Sequence, residues 1–223
     1  MNYILFDGSV RNQLLPFSFT RPVADIRVGI LTLREKWEKH LGYTTTTVTE
    51  DHLSKKWPLV ELEQNILINA SFIPSEALVT AIKALQENQA IFLDDEPIAF
   101  FSIGDQEVDF EGYEIMEYTA DDVFRIEHTW DIFAKNHEAI IQDFELLTKD
   151  RTSQPIPETT VAFNEAKIFI EEGATLNFCT LNASSGPIYI GKNAEIMVGC
   201  VVRGGLAMCE NSVLKLSAKI YGA

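Results

Sequence analysis

Four arginines, Arg11, Arg21, Arg27 and Arg34, fall within the first 34 residues, in a half of the chain otherwise dominated by carboxylates. Guanidinium groups gathered in this way can grip phosphoryl oxygens through paired N–H donors. Each also has a structural alternative: Arg34 on a solvated helix face, and Arg21 or Arg27 paired with an acid such as Asp25. Just ahead of them, Tyr3-Ile4-Leu5-Phe6 reads as a short buried strand entering the turn Asp7-Gly8. The softer ligands point elsewhere. Cys179, Cys200 and Cys209 contain no Cys-x-x-Cys pair, and the histidines His40, His52, His128 and His137 lie apart from them in sequence. That pattern argues against zinc and for reduced, buried thiols.

The chain has 223 residues, with 18 basic and 33 acidic side chains and a net charge of −15. Such a surface repels polyanions, which excludes non-specific binding to nucleic acid. No apolar run approaches the roughly 18 residues of a membrane span, and Met1 to Val10 carries no basic cluster of a secretory signal, so a cytoplasmic protein is expected. The charge is uneven. From Val161 onward five acids face five bases, so residues 1–160 carry the whole excess. Between them, residues 151–160 have linker composition, rich in Pro, Ser and Thr. The expected organisation is an α/β domain over 1–150, a linker over 151–160 and a second domain over 161–223.

Strands are expected at Tyr3–Phe6, Thr44–Val48, Asn65–Asn69 and Ala90–Leu93. Helices intervene: Thr32 and Glu35 have capping-box spacing before Leu33, Trp37, His40 and Leu41, and Ser75 opens a helix with Leu78, Ile82 and Leu85 on one face. This alternation predicts a parallel sheet covered by helices. The turn-like Asp94-Asp95-Glu96-Pro97 predicts a hairpin joining Ala90–Leu93 to Ile98–Ile103. Thr129 opens a further helix with Phe133, His137, Ile140, Phe144 and Leu147 along one stripe, His137 being a core histidine there.

The tail repeats. Ile190, Ile196, Val202, Met208, Leu214 and Ile220 are aliphatic and six residues apart, and the residues four further on, Ala194, Cys200, Leu206, Ser212 and Ala218, are small with one exception. Ile170 with Ala174 and Leu176 with Thr180 follow the same rule, and an insertion near Asn182–Pro187 shifts the phase. A six-residue period predicts a parallel β-helix in which three hexads close one triangular coil. Because Ile220-Tyr221-Gly222-Ala223 begins a hexad that stops after four residues, a truncated helix is expected.

An α/β unit whose first strand runs into a Gly/Arg loop, joined to such a tail, resembles the sugar nucleotidyltransferases, among them the bifunctional N-acetylglucosamine-1-phosphate uridyltransferase family. Leu5-Phe6-Asp7-Gly8, Arg11, Leu14-Leu15-Pro16, Thr20-Arg21-Pro22, Asp25-Ile26-Arg27, Gly29 and Glu35-Lys36-Trp37 carry the likeness. It implies a Rossmann-like domain with a left-handed hexapeptide helix that assembles trimers. The implied activity is transfer of a nucleotidyl group from a nucleoside triphosphate to a sugar 1-phosphate with Mg²⁺. It also implies that Gly8, Arg11, Arg21, Arg27 and Asn69 hold phosphates, with Arg11 and Arg27 in the catalytic role. The signature loop departs from the family: the second Gly and the following Lys are missing, and Arg21 or Arg27 stands in for that Lys. Where relatives place a metal-binding Asp this chain has Asn69, leaving Asp7, Asp94 and Asp105 as candidate magnesium ligands. Two other functions follow if that chemistry is lost: a sugar-nucleotide sensor or scaffold, or a hexapeptide acyltransferase whose catalytic coils lie outside this sequence, since the tail has no histidine after His137.

Overall fold

Ile4 and Leu5 in the first strand and Ile66 and Ile68 in the third are wholly excluded from water, and burying them joins distant stretches into one sheet. The structure is a computed structural model that describes residues 1–104 and 109–222. It divides into two units: Met1–Arg27 with Leu31–Asp131, and Val28–Ile30 with Ile132–Ala223.

The first unit carries a six-stranded sheet of β1 (Asn2–Phe6), β2 (Thr46–Val48), β3 (Gln64–Asn69), β4 (Gln89–Leu93), β5 (Glu96–Ile103) and β6 (Glu114–Glu117), in the order β2-β1-β3-β5-β4-β6. Parallel pairing of β1 with β2 and β3 matches the alternation of strands and helices. The far half does not follow it. β5 inserts antiparallel between β3 and β4, and β6 then runs parallel to β4. The reason lies in the hairpin: Asp94 turns the chain at φ 51°, and the more apolar return strand, with Ile98 to Phe101 buried, takes the inner place.

Helix α1 (Leu33–Leu41) is set by the expected capping box. The Glu35 amide donates to the Thr32 hydroxyl at 3.2 Å, and the Thr32 amide donates to the Glu35 carboxylate at 2.6 Å. Left-handed Gly42 ends it, while Leu33, Trp37 and Leu41 fill the core and the Trp37 indole donates to the Phe72 carbonyl at 2.9 Å. Helix α2 (Glu76–Lys83) is capped by Ser75. Residues 49–63, between β2 and β3, hold no helix, only turns and extended chain.

The stripe expected from Thr129 is interrupted. α3 (Thr129–Ala134) stops at Lys135 and α4 (Asn136–Thr148) follows, leaving Phe133 82 % exposed while Ala139, Ile140, Asp143 and Leu147 are buried. In the second unit, α4 clasps Val28–Ile30. The Gly29 amide donates to Asn136 at 2.9 Å and the Ile30 amide to the buried Asp143 carboxylate at 2.7 Å. A Cβ on Gly29, at φ +82°, would lie 2.8 Å from the Ala139 backbone. His137 packs against Gly186 and Gly205 with its buried Nδ1 unpaired among the described residues. α4 therefore packs in one compact unit with the tail, which takes in Ile132–Ala223.

The stretch 151–160 is itself held down within the second unit. Arg151 grips Glu171 through two hydrogen bonds of 2.9 and 2.7 Å, and the Tyr189 hydroxyl donates to the same carboxylate. Burial, reinforced by Glu171, pushes the Tyr189 phenol up to about 12. Beyond it run ten short strands: β7 (Val161–Phe163), β8 (Ile168–Ile170), β9 (Thr175–Leu176), β10 (Thr180–Asn182), β11 (Ile188–Ile190), β12 (Glu195–Ile196), β13 (Val201–Arg203), β14 (Leu206–Met208), β15 (Val213–Leu214) and β16 (Lys219–Tyr221). Every third strand pairs in parallel, giving the sheets β16-β13-β10-β7, β14-β11-β8 and β15-β12-β9. Ile190, Ile196, Val202 and Met208 point into one core, with Leu214 and Ile220 packed against it. The whole is mixed α/β with parallel-rich sheets.

Leu181, in the middle of β10, is fully buried in that core. Leu181→Ala is expected to lower stability by about 2–5 kcal/mol, through lost burial and the cavity left behind. Chemical denaturation of both proteins checks it.

Candidate functional site

The carboxyl ends of β1 and β3 converge on a turn built around Asp7. Its side chain, 8 % exposed, accepts the Val23 amide at 2.6 Å, the Thr49 hydroxyl at 2.6 Å and the Arg11 guanidinium. Arg11 is 9 % exposed and also donates to the Ser18 carbonyl at 2.6 Å, while Ser18 returns a hydroxyl bond to the Arg11 carbonyl at 2.7 Å. Glu50 lies 3.5 Å from its Nε. The guanidinium is thus engaged on several sides by the fold itself.

Gly8 follows at φ +63°. A Cβ here would lie 2.7 to 2.9 Å from the side chain of Asn69, so the close approach that requires glycine is to Asn69. Asn69 is fully buried at the end of β3. Its amide donates to Glu96 at 3.0 Å, and its oxygen accepts the Ser71 amide at 3.1 Å and hydroxyl at 2.8 Å. Glu96 also accepts the Ser9 hydroxyl at 2.7 Å, closing a ring of polar contacts under the turn. Gly8, Arg11 and Thr49 to Asp51 border a cleft of about 390 Å³ above β1 and β2. Outside the carboxyl ends of parallel strands is where open α/β sheets bind ligands.

A second cleft, of about 490 Å³, lies in the same unit and gathers Thr20, Arg21, Asp25, Thr32, Arg34, Glu35, Lys56 and Trp57. Arg34 donates to Asp25 at 2.7 Å and to the Thr45 carbonyl and hydroxyl, each at 3.1 Å. The Trp57 indole donates to the other Asp25 oxygen. Arg27 pairs with Glu35 at 3.5 Å. Arg21 is exposed and has no ion-pair partner among the described residues. Lys56 lies 4.3 Å above the centre of the Trp57 ring.

Asp7, Gly8, Arg11 and Asn69 thus share one turn, Arg21 faces the second cleft, and Arg27 meets Glu35 on that cleft's wall. The alternative foreseen for Arg27, pairing with an acid, is realised with Glu35, whereas Asp25 is taken by Arg34, which is held in that pair rather than on a solvated helix face. Asp94 stands apart, exposed in the β4–β5 turn with its amide donating to Glu117 at 2.7 Å. Asp105 lies outside the described residues. Asp7 and Asp94, the two of these acids among the described residues, do not together fit a protein-held magnesium ion. Asp7 already accepts three hydrogen bonds and the Asn69 oxygen two. Among the described residues, no three His, Cys, Asp or Glu side chains converge on one point. Lys56, Trp57, Thr49 and Glu96 were not foreseen. The adjacent pair Lys55-Lys56 before an aromatic residue was the visible signal for the first two.

Breaking the buried pair leaves an uncompensated charge. Arg11→Ala is expected to cost about 3–5 kcal/mol, more than a conservative Arg11→Lys, as read by urea unfolding monitored in the far ultraviolet.

No helix among the described residues is long and apolar enough to cross a membrane. A comparison with curated proteins finds no match. Residues 3–152 match a family model described as sugar nucleotidyl transferase. That span holds the Asp7 turn, both clefts and all but the first residue of the six-stranded sheet, and the chain belongs to the sugar nucleotidyl transferase family.

Proposed function

We propose that the protein joins a nucleoside triphosphate to a sugar 1-phosphate, releasing pyrophosphate. The observation that carries this reading is an exposed guanidinium, Arg21, facing a cation-lined cleft inside the span that matches the family, in a chain of net charge −15. A phosphate oxygen of the sugar attacks the α-phosphorus, a new P–O bond forms, and the bond to the departing pyrophosphate breaks. Negative charge on the transferring group is then stabilised by fixed donors. Arg21 and Arg27 contact phosphoryl oxygens, Arg27 being the catalytic contact. Gly8 allows the turn, and Arg11 and Asn69 act as positioning residues through Asp7 and Glu96. No step is assigned to a protein-held metal.

A second reading, binding without turnover, is favoured by one feature: the polar atoms of Asp7 and Asn69 are turned to internal hydrogen bonds. Pyrophosphate release, measured with Mg²⁺ across nucleoside triphosphates and sugar 1-phosphates, separates the two. Transfer requires release that depends on both substrates, with kcat/KM at least about tenfold lower in Arg21→Ala. Calorimetric binding of a substrate without any release would leave the sensor.

We read the tail as a left-handed β-helix that assembles trimers. The reading is supported by a register that advances 18 residues, three hexads, over the last coil of each sheet, Val201 to Lys219, Ile188 to Leu206 and Glu195 to Val213, against 19 to 21 residues over the coils before. Sedimentation equilibrium is expected to give three times the chain mass, and a monomer at micromolar concentration would end the trimer reading.

A further inference from the structure

We infer that Lys56 and Arg21 together form a clamp for a phosphoryl group in the 490 Å³ cleft. The inference rests on the reading above and adds a contact residue to it. Two carboxylates face this cleft, and both are engaged. Asp25 takes Arg34 and the Trp57 indole; Glu35 takes the Thr32 amide and Arg27. Arg34 is further tied to Thr45 and Thr47. Two exposed cations remain, Arg21 and Lys56, and neither has a carboxylate partner among the described residues.

Leaving two unneutralised cations in the lining of one cleft, while the chain as a whole carries −15, creates a local positive potential that an anion relieves. The capping box already occupies the Thr32 and Glu35 amides of α1, so the side chains, not the helix end, supply this potential. Lys56 is also partly fixed. Its ammonium lies 4.3 Å above the Trp57 ring, and Asp25 pins that indole. A cation held over the cleft gives up less conformational freedom on binding than one waving in solvent. A forked guanidinium and a point-charge ammonium lining one cleft suit a phosphate ester with several terminal oxygens. Such a group comes from a nucleoside triphosphate or from a sugar 1-phosphate.

The test uses the full chain and isothermal titration calorimetry with inorganic tripolyphosphate, each of the four nucleoside triphosphates and glucose 1-phosphate. Lys56→Met keeps the aliphatic stem and removes the charge; Lys55→Met removes the same charge one residue away, outside the cleft. The expected result is a Kd raised about tenfold in Lys56→Met and in Arg21→Met, and within about twofold in Lys55→Met. A shift confined to the nucleoside triphosphates, or to glucose 1-phosphate, supports the clamp and names the source. Unchanged affinity in Lys56→Met, equal weakening by Lys55→Met, or no binding of any probe by the unaltered protein overturns it. Pyrophosphate release that survives in Lys56→Met with unaltered KM removes the clamp and leaves nucleotidyl transfer standing. Binding that weakens as expected without any release removes transfer and leaves the clamp.

Discussion

A single buried carboxylate organises the first unit. Asp7 joins the end of β1 to the amide of Val23, the hydroxyl of Thr49 and the guanidinium of Arg11, segments separated by up to 42 residues in sequence. Withdrawing a carboxylate from water costs several kcal/mol unless its lone pairs find donors and its charge finds a partner. Here both needs are met, so the segments that deliver the donors have little choice of position. The Gly8 turn is therefore set before any ligand arrives. The same interaction claims the arginine nearest the turn, and recognition of outside anions passes to cations further along the chain.

Those cations stand out because of what surrounds them. Residues 1–160 contain 28 acids against 13 bases. In such a field a basic side chain ordinarily finds a carboxylate, and Arg34, Arg125 and Arg151 all do. Electrostatic potential is set by what is left after such pairing. The lining of the 490 Å³ cleft keeps a surplus of positive charge because its two acids are occupied by the helix cap, an indole and neighbouring guanidinium groups. Local bonding rather than composition decides the sign there.

Local rules were legible in the sequence where a few adjacent residues determine the outcome. Thr32 and Glu35 form the capping box their spacing demands, Ser75 caps its helix, and the six-residue period of Ile190 to Ile220 becomes three parallel sheets around a common core. Long-range competition was not legible. That β5 displaces β4 from the inner position depends on the relative apolarity of two hairpin strands against a third. That Arg11 turns inward depends on Thr49 and Ser18, which no spacing rule links to it. The approach of Gly8 to Asn69 rather than to a ligand likewise needs two strands placed side by side. The break at Lys135 escaped because Phe133 fits the apolar stripe by type, although the structure leaves it in solvent.

Val28, Gly29 and Ile30 lie within the sequence of the first unit yet are clasped by α4 of the second. The chain consequently crosses between the units three times, and no one cut of the gene yields both as intact pieces. A fragment starting near residue 132 would lack the Ile30 amide that the buried Asp143 carboxylate accepts. One ending there would carry a tripeptide deprived of its cradle. Parting the two units as folded pieces therefore means rewriting the segment between Arg27 and Leu31.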